Sequence, residues 1–243
     1  MWSRIWECLE AQFPAFVVDE WWGVSDPFAR MAGAVLVQQT TWHNAAKALA
    51  QLQQTGWLHP AALSACTAEQ LMPLIHSAGF QRTKAETLIR LASWLQAGGG
   101  ISSLRGRFTM EELRGQLLSL KGIGPETADT ILAYSFDLPT ISGDAYARRL
   151  VERLQGRSAT YANVRRQIMD ELNGTHALQR LHGLIVEHGK MVCRKHQPAC
   201  GRCLLQTICR YATERQAVPV FNGSSDSAPV APIRQADVAT QNE

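Results

Sequence analysis

The 243 residues are 46% hydrophobic and 19% charged, the composition of an ordinary globular protein with room for one large or two modest domains. No apolar run approaches the ~20 residues of a membrane span, so no membrane partner is expected. The net charge of +3 hides a gradient: residues 101–215 carry 17 Lys/Arg against 11 Asp/Glu, residues 1–100 come to −1 and those from 216 onward to −2. The basic stretch is where an anionic partner would dock, although a solvated surface explains charge alone equally well.

The first segment, "MWSRIWECLE", is amphipathic and acidic, unlike a signal peptide, and a cytoplasmic protein is expected. Helical periodicity follows. Phe28, Met31, Ala32, Val35 and Leu36 mark one apolar face; Ala45, Ala48, Leu49 and Leu52 mark a second; Leu88, Leu91, Ala92 and Leu95 mark a third. Ala128, Ile131 and Leu132 fit a helix after a glycine loop, and further apolar repeats run to Val192. Pro27, Pro60, Pro73, the Gly98–Gly100 run and Pro139 punctuate the series. The pattern predicts an all-α chain of about ten helices. From Asn222 the chain is rich in Ser, Ala and Pro without an apolar face, and residues 212–243 are expected to form a disordered tail.

The loop "LKGIGPETAD" carries the first candidate site. Gly122 and Gly124 permit backbone angles that other residues resist, and Pro125 suits a first helical position. The N–H groups of such a turn and helix start converge on a phosphate oxygen. A helical segment, Met110 to Leu120, precedes it, so the form is helix, hairpin, helix and not a strand-led nucleotide loop. A helix-hairpin-helix grips the DNA backbone without reading bases, whereas a plain interhelical turn has no ligand.

Four of the six cysteines, Cys193, Cys200, Cys203 and Cys209, fall in "CRKHQPACGRCLLQTIC". So dense a group in a cytosolic chain reads as a metal site rather than disulfides. Zinc is usually held by two close pairs, and only one pair is close here; four thiolates on one uneven loop suit a [4Fe–4S] cluster. Arg194, Lys195, Arg202 and Arg210 interleave with them as candidate phosphate contacts. Cys8 and Cys66 sit in apolar segments and are expected to be core thiols. His43, His176, His182, His188 and His196 show no metal-ligand spacing and read as surface or core.

The hairpin, an acid at 144 and the cysteine spacing together resemble the endonuclease III superfamily of helix-hairpin-helix DNA glycosylases, from about Trp21 to Tyr211. The resemblance implies a two-domain all-α fold. One domain is a six-helix unit from about 25 to 135; the other combines residues 1–24 with 136–211 and carries the cluster. It implies that the partner is double-stranded DNA containing a damaged base and that the protein acts as a monomer. The family's catalytic Asp lies 18 residues after the position that holds a Lys in its bifunctional members. Counting from Glu126, that is Asp144, which also reads locally as a helix N-cap. A carboxylate at 126 cannot form the Schiff base that a Lys forms, so base removal without strand cleavage is implied. Lys121 is read as a phosphate contact, with a stand-in amine as the second reading.

Within that superfamily, the paired Trp21 and Trp22 and the aromatic Trp42, 20 residues after Trp22, resemble the 3-methyladenine glycosylase III branch. So do "LKGIGPETAD" and "HGLIVEHGK". The branch carries a Pro where this chain has Gly23, and its characterised alkyl-base member lacks the cysteine cluster. The resemblance implies an alkylated purine as substrate, held in a pocket of Trp21, Trp22 and Trp42, whose faces attract a cationic base. Core packing is the plainer reading of all three. Gln39 matches the residue that fills the hole left by the flipped nucleotide, and Phe80 the apolar wedge. The rival readings are a glycosylase for mispaired or oxidised bases, with lyase activity, and a DNA-binding homologue without catalysis. Asp144 argues against the last.

Overall fold

The computed structural model of the chain describes residues 1–216. Among the described residues the structure is helical and has no strand. In chain order the helices are α1 (Trp2–Gln12), α2 (Val18–Trp21), α3 (Pro27–Leu36), α4 (Trp42–Gln54), α5 (Pro60–Ala65) and α6 (Ala68–Leu71). A 3₁₀ segment, Met72–Ala78, leads to α7 (Gln81–Ala97), α8 (Gly100–Arg107), α9 (Met110–Ser119) and α10 (Pro125–Tyr134). Then come α11 (Ala145–Gln155), α12 (Tyr161–Glu171), α13 (Thr175–Met191) and α14 (Arg210–Gln216). The helices beyond the expected ten are short ones such as α2, α5 and α6, of 4, 6 and 4 residues. A helix of that length completes too few turns for its period to appear in sequence.

Side-chain caps start several of the longer helices. Asp26 accepts from the Ala29 N–H and Pro27 opens α3; Thr41 and Thr160 cap α4 and α12 through the N–H three residues on. Thr109 and Glu112 close a reciprocal capping box on α9. Each such cap stabilises its helix by about 1 kcal/mol.

The chain divides into two compact units, one of Trp22–Thr140 and one of Met1–Trp21 with Ile141 onward. In the first, α7 packs on α3, α5, α6 and α8, and α10 on α3 and α9, around Met31, Leu36, Leu52, Leu63, Leu88 and Leu91, all fully buried. In the second, α13 packs on α1, α2 and α11 around Trp2, Ile5, Leu9, Leu181 and Ile185, none of them exposed. The three apolar faces read on α3, α4 and α7 are core in every position named. Cys8 and Cys66, expected as core thiols, are only half-buried: the faces they lie on are flanks of short or terminal helices.

The tail expected from 212 begins instead as helix. Ala212 is buried, Tyr211 lies under the Arg153 guanidinium at 4.8 Å, and α14 packs on α11. Tertiary contact holds a segment too polar to be helical alone. The rest of the expected tail, beyond 216, lies outside the described residues. No helix among the described residues is long and apolar enough to cross a membrane.

Candidate functional site

The hairpin joins α9 to α10 in the Trp22–Thr140 unit. Ile123 is buried and its N–H donates to the Leu120 carbonyl at 3.0 Å, so the tip of the turn is pinned to the core. Gly122 has φ +98°, and a Cβ there would run into Thr87 Oγ1, with Thr87 Cβ and Cγ2 at 3.0 Å. Only glycine fits. Gly124 differs from its expectation: with φ −97° and ψ 178° it is extended backbone that any residue adopts. Nothing lies within 4 Å of where its Cβ would be. Its glycine keeps the front of α10 clear rather than bending the chain. The turn's carbonyls face inward. Gln38 Nε2 donates to Gly122 O at 3.1 Å and to Thr127 Oγ1 at 2.9 Å, and Thr87 and Arg90 donate to Lys121 O at 3.4 Å. Sequence reading picked out Gln39 and missed Gln38, which has no signal beyond adjacency.

Unlike α3, α4, α9, α11 and α12, α10 has no side-chain cap, and its first turn carries Pro125 and the exposed Glu126. Lys121 is exposed as well. Behind the hairpin, Asp129 is fully buried and takes two bonds from Arg114, at 2.8 and 3.1 Å, with Thr140 Oγ1 at 3.4 Å. That bidentate pair ties α9 to α10 and fixes the angle at which the turn is presented.

Three non-glycine residues of this unit have positive φ: Asp137 at +47°, and the two candidate site residues, Gln39 in the α3–α4 turn at +55° and Phe80 at the N-cap of α7 at +47°. Side-chain-bearing residues rarely adopt this region and concentrate at functional positions when they do. Both are exposed, Phe80 by 62% despite its apolar ring. Trp22 and Trp42 meet edge to face at 5.1 Å, and Trp22 lies 5.2 Å from Tyr134. Trp22 is 6% exposed and Trp42 half-buried, its ring lying over Gly33 of α3. Of the pair, Trp42 has the accessible face.

In the other unit, Asp144 caps α11: Oδ1 accepts from the Ala147 N–H at 2.8 Å. Its Oδ2 lies 3.3 Å from Nε2 of His182 on α13. Both side chains are more than nine-tenths buried. The preceding Gly143 lies against the Tyr161 carbonyl, where a Cβ would not fit, so the approach to the cap is rigid. The His182 ring stands edge-on to Trp21 at 5.9 Å. Trp21 Nε1 donates to Glu187 Oε1 at 3.0 Å, which also accepts from Lys190 Nζ at 3.0 Å. Glu187 is itself buried. Sequence reading took His182 for surface or core and did not single out Glu187.

The cysteine loop follows α13. Cys193, Cys200, Cys203 and Cys209 line one cavity together with Arg153, Val192, Pro198, Tyr211 and Ala212. Arg153 donates to Cys193 Sγ at 3.0 Å and to the Arg194 and Lys195 carbonyls at 2.9 Å; Arg149 donates to the Cys193 carbonyl at 3.0 Å. Burial, chiefly, pushes the Cys203 thiol up to about 12 and raises Cys209. Thiols so placed hold their protons unless iron or another cation replaces them. His188 lies 3.8 Å from Cys203 Sγ; its burial and then the charges of Arg149 and Arg153 lower it to about 4, so it is neutral. Among the described residues no group of three or more Cys, His, Asp or Glu side chains is placed to hold a metal ion. The four thiols do line one cavity, and four thiols are the donor set of an iron–sulfur cluster.

Comparison with known proteins bears on both units. Residues 32–173 match the family described as HhH-GPD superfamily base excision DNA repair protein. A Methanocaldococcus jannaschii protein named as a DNA repair glycosylase is 30% identical over 78% of this chain and 88% of its own. Endonuclease III of Thermotoga maritima is 28% identical over 82% of this chain and 89% of its own. In fold, the chain is similar to the H. pylori 3-methyladenine DNA glycosylase solved with 1,N6-ethenoadenine. The TM-score is 0.67 and the identity 23%, over 77% of this chain and 96% of that one.

Proposed function

Since the chain belongs to the HhH-GPD superfamily of base excision DNA repair proteins, we propose that it is a monofunctional DNA glycosylase. It hydrolyses the N-glycosidic bond of an alkylated purine flipped out of double-stranded DNA. The observation that carries this reading is Asp144, a buried carboxylate held at both oxygens at the start of α11. As the base departs, positive charge develops on the sugar. A fixed carboxylate stabilises it and orients, or takes a proton from, the attacking water. Glu126 occupies the position where the resemblance puts a Lys in bifunctional members. A carboxylate forms no imine, so the product is an intact strand with an abasic site.

The exposed first turn of α10, which has no side-chain cap, and Lys121 suit a backbone phosphate, and Gln39 and Phe80 suit the gap left by a flipped nucleotide. A purine alkylated at a ring nitrogen such as N3 or N7 is cationic and already a good leaving group. Trp42, backed by Trp22, offers it an aromatic face worth about 0.5–2 kcal/mol. The H. pylori neighbour in fold is named as a 3-methyladenine DNA glycosylase, a substrate of that class. The four cysteines are read as the ligands of a [4Fe–4S] cluster, which when bound supplies a four-point cross-link for the loop and a redox centre. The second reading, a glycosylase of mispaired or oxidised bases with lyase activity, is favoured by the endonuclease III relative and by Lys121 beside the hairpin.

A panel of duplexes bearing alkylated, oxidised or mispaired bases separates the readings. The expected result is excision of an alkylated purine, strand breaks only after alkali, no borohydride-trapped adduct, and loss of about 10²–10⁴ in rate in Asp144→Asn. Efficient trapping by the unaltered protein, abolished in Lys121→Ala, would establish the second reading instead.

A further inference from the structure

We propose that His182 is a positioning residue for Asp144, a role resting on the reading of Asp144 as the catalytic carboxylate. The cap bond from the Ala147 N–H fixes one oxygen of Asp144 at 2.8 Å. One bond alone leaves a carboxylate free to swing about that oxygen. His182 meets the other oxygen at 3.3 Å from a different helix, 38 residues away, so the plane of the group is defined by two partners. A ground-state bond of this length is of the kind that tightens once substrate is in place.

The ring is itself held. It is 6% exposed and packed edge-on to Trp21 at 5.9 Å, and Trp21 is anchored through its Nε1–H to Glu187 at 3.0 Å. Glu187 lies one turn beyond His182 on the same α13 helix, and Lys190 meets its carboxylate at 3.0 Å. The helix therefore supplies both the partner of Asp144 and the brace behind that partner. A histidine buried for volume alone needs no contact with a carboxylate. A single ring that links the only carboxylate the reaction uses to an aromatic brace is arranged to set its direction.

A cationic probe tests this without the identity of the lesion. A duplex with a pyrrolidine abasic analogue carries a positive ring where charge develops in the reaction; a tetrahydrofuran duplex is its neutral counterpart. The ratio of the two affinities reads how well the carboxylate is aimed. The unaltered protein is expected to favour the pyrrolidine duplex, and Asp144→Asn to lose that preference. His182→Leu is expected to cut it about 10- to 100-fold with tetrahydrofuran binding unchanged, and His182→Gln, which keeps an N–H, to recover most of it. Full preference in His182→Leu, with loss in Asp144→Asn, would overturn the role of His182 and leave Asp144 standing. Equal loss in the Leu and Gln variants would reduce His182 to packing. Absence of any preference in the unaltered protein would remove Asp144 from the mechanism and this inference with it.

Discussion

Gly122→Ala and Gly124→Ala make the same chemical change two residues apart, and the hairpin demands opposite outcomes. At 122 the new Cβ must adopt φ +98° and displace Thr87, whose Oγ1 donates to the Thr83 carbonyl at 2.8 Å and to the Lys121 carbonyl at 3.4 Å. The backbone conformation costs about 1–3 kcal/mol for a non-glycine residue, and overpacking against Thr87 about as much again. The expected loss is about 2–5 kcal/mol, or roughly 5–15 °C in melting temperature for a chain of this size. At 124 the backbone is already extended and the space is open, so stability should stay within about 1 kcal/mol of wild type. Binding reverses the order of interest: Gly124→Ala is expected to fold normally yet lose affinity for all duplexes alike, because the Cβ intrudes where a phosphate comes close and phosphate contacts carry no sequence information. Thermal unfolding followed by circular dichroism, paired with binding to matched and lesion-bearing duplexes, measures both effects. Thr87→Ala in the Gly122→Ala background should restore part of the lost stability. Equal melting of the two single variants would refute the assignment of strain to Gly122.

Two other expectations follow from buried groups. Arg114→Ala removes the bidentate partner of the fully buried Asp129, and should cost about 3 kcal/mol, since breaking a buried ion pair from one side is strongly destabilising. A melting shift below 2 °C would mean that the pair does not hold α9 to α10 (threshold set from the roughly 2–4 °C per kcal/mol expected at this size). The purified protein should be brown with about four irons per chain, and Cys209→Ser should lose them; colourless protein with one stoichiometric zinc by elemental analysis would refute the multinuclear reading of the cysteine cavity.

The parts legible in sequence are those whose cause is local. The faces of α3, α4 and α7 could be read because each is set by side chains three and four apart, and the start of α11 because Asp144 caps it through its own neighbour Ala147. Short helices such as α5 and α6 escaped because six or four residues leave no period. The helix α14 escaped because what holds it, Arg153 over Tyr211 and a buried Ala212, comes from a helix some 58 residues earlier in the chain.

The two glycines of the hairpin show where such reading stops. In sequence they are symmetric about Ile123, and the pattern assigns both the same freedom. The backbone assigns it to one: Gly122 turns the chain, and Gly124 only clears the space before α10. The same asymmetry separates Asp144 from His182. An N-cap announces itself within four residues, whereas a histidine among the buried residues of α13 looks like any core histidine until the partner 38 residues away is in place. A helix cap can therefore be read from its own neighbours, but the partner of the carboxylate's second oxygen is found only from the fold, because fixing a plane requires a second direction, and here that direction comes from another helix of the chain.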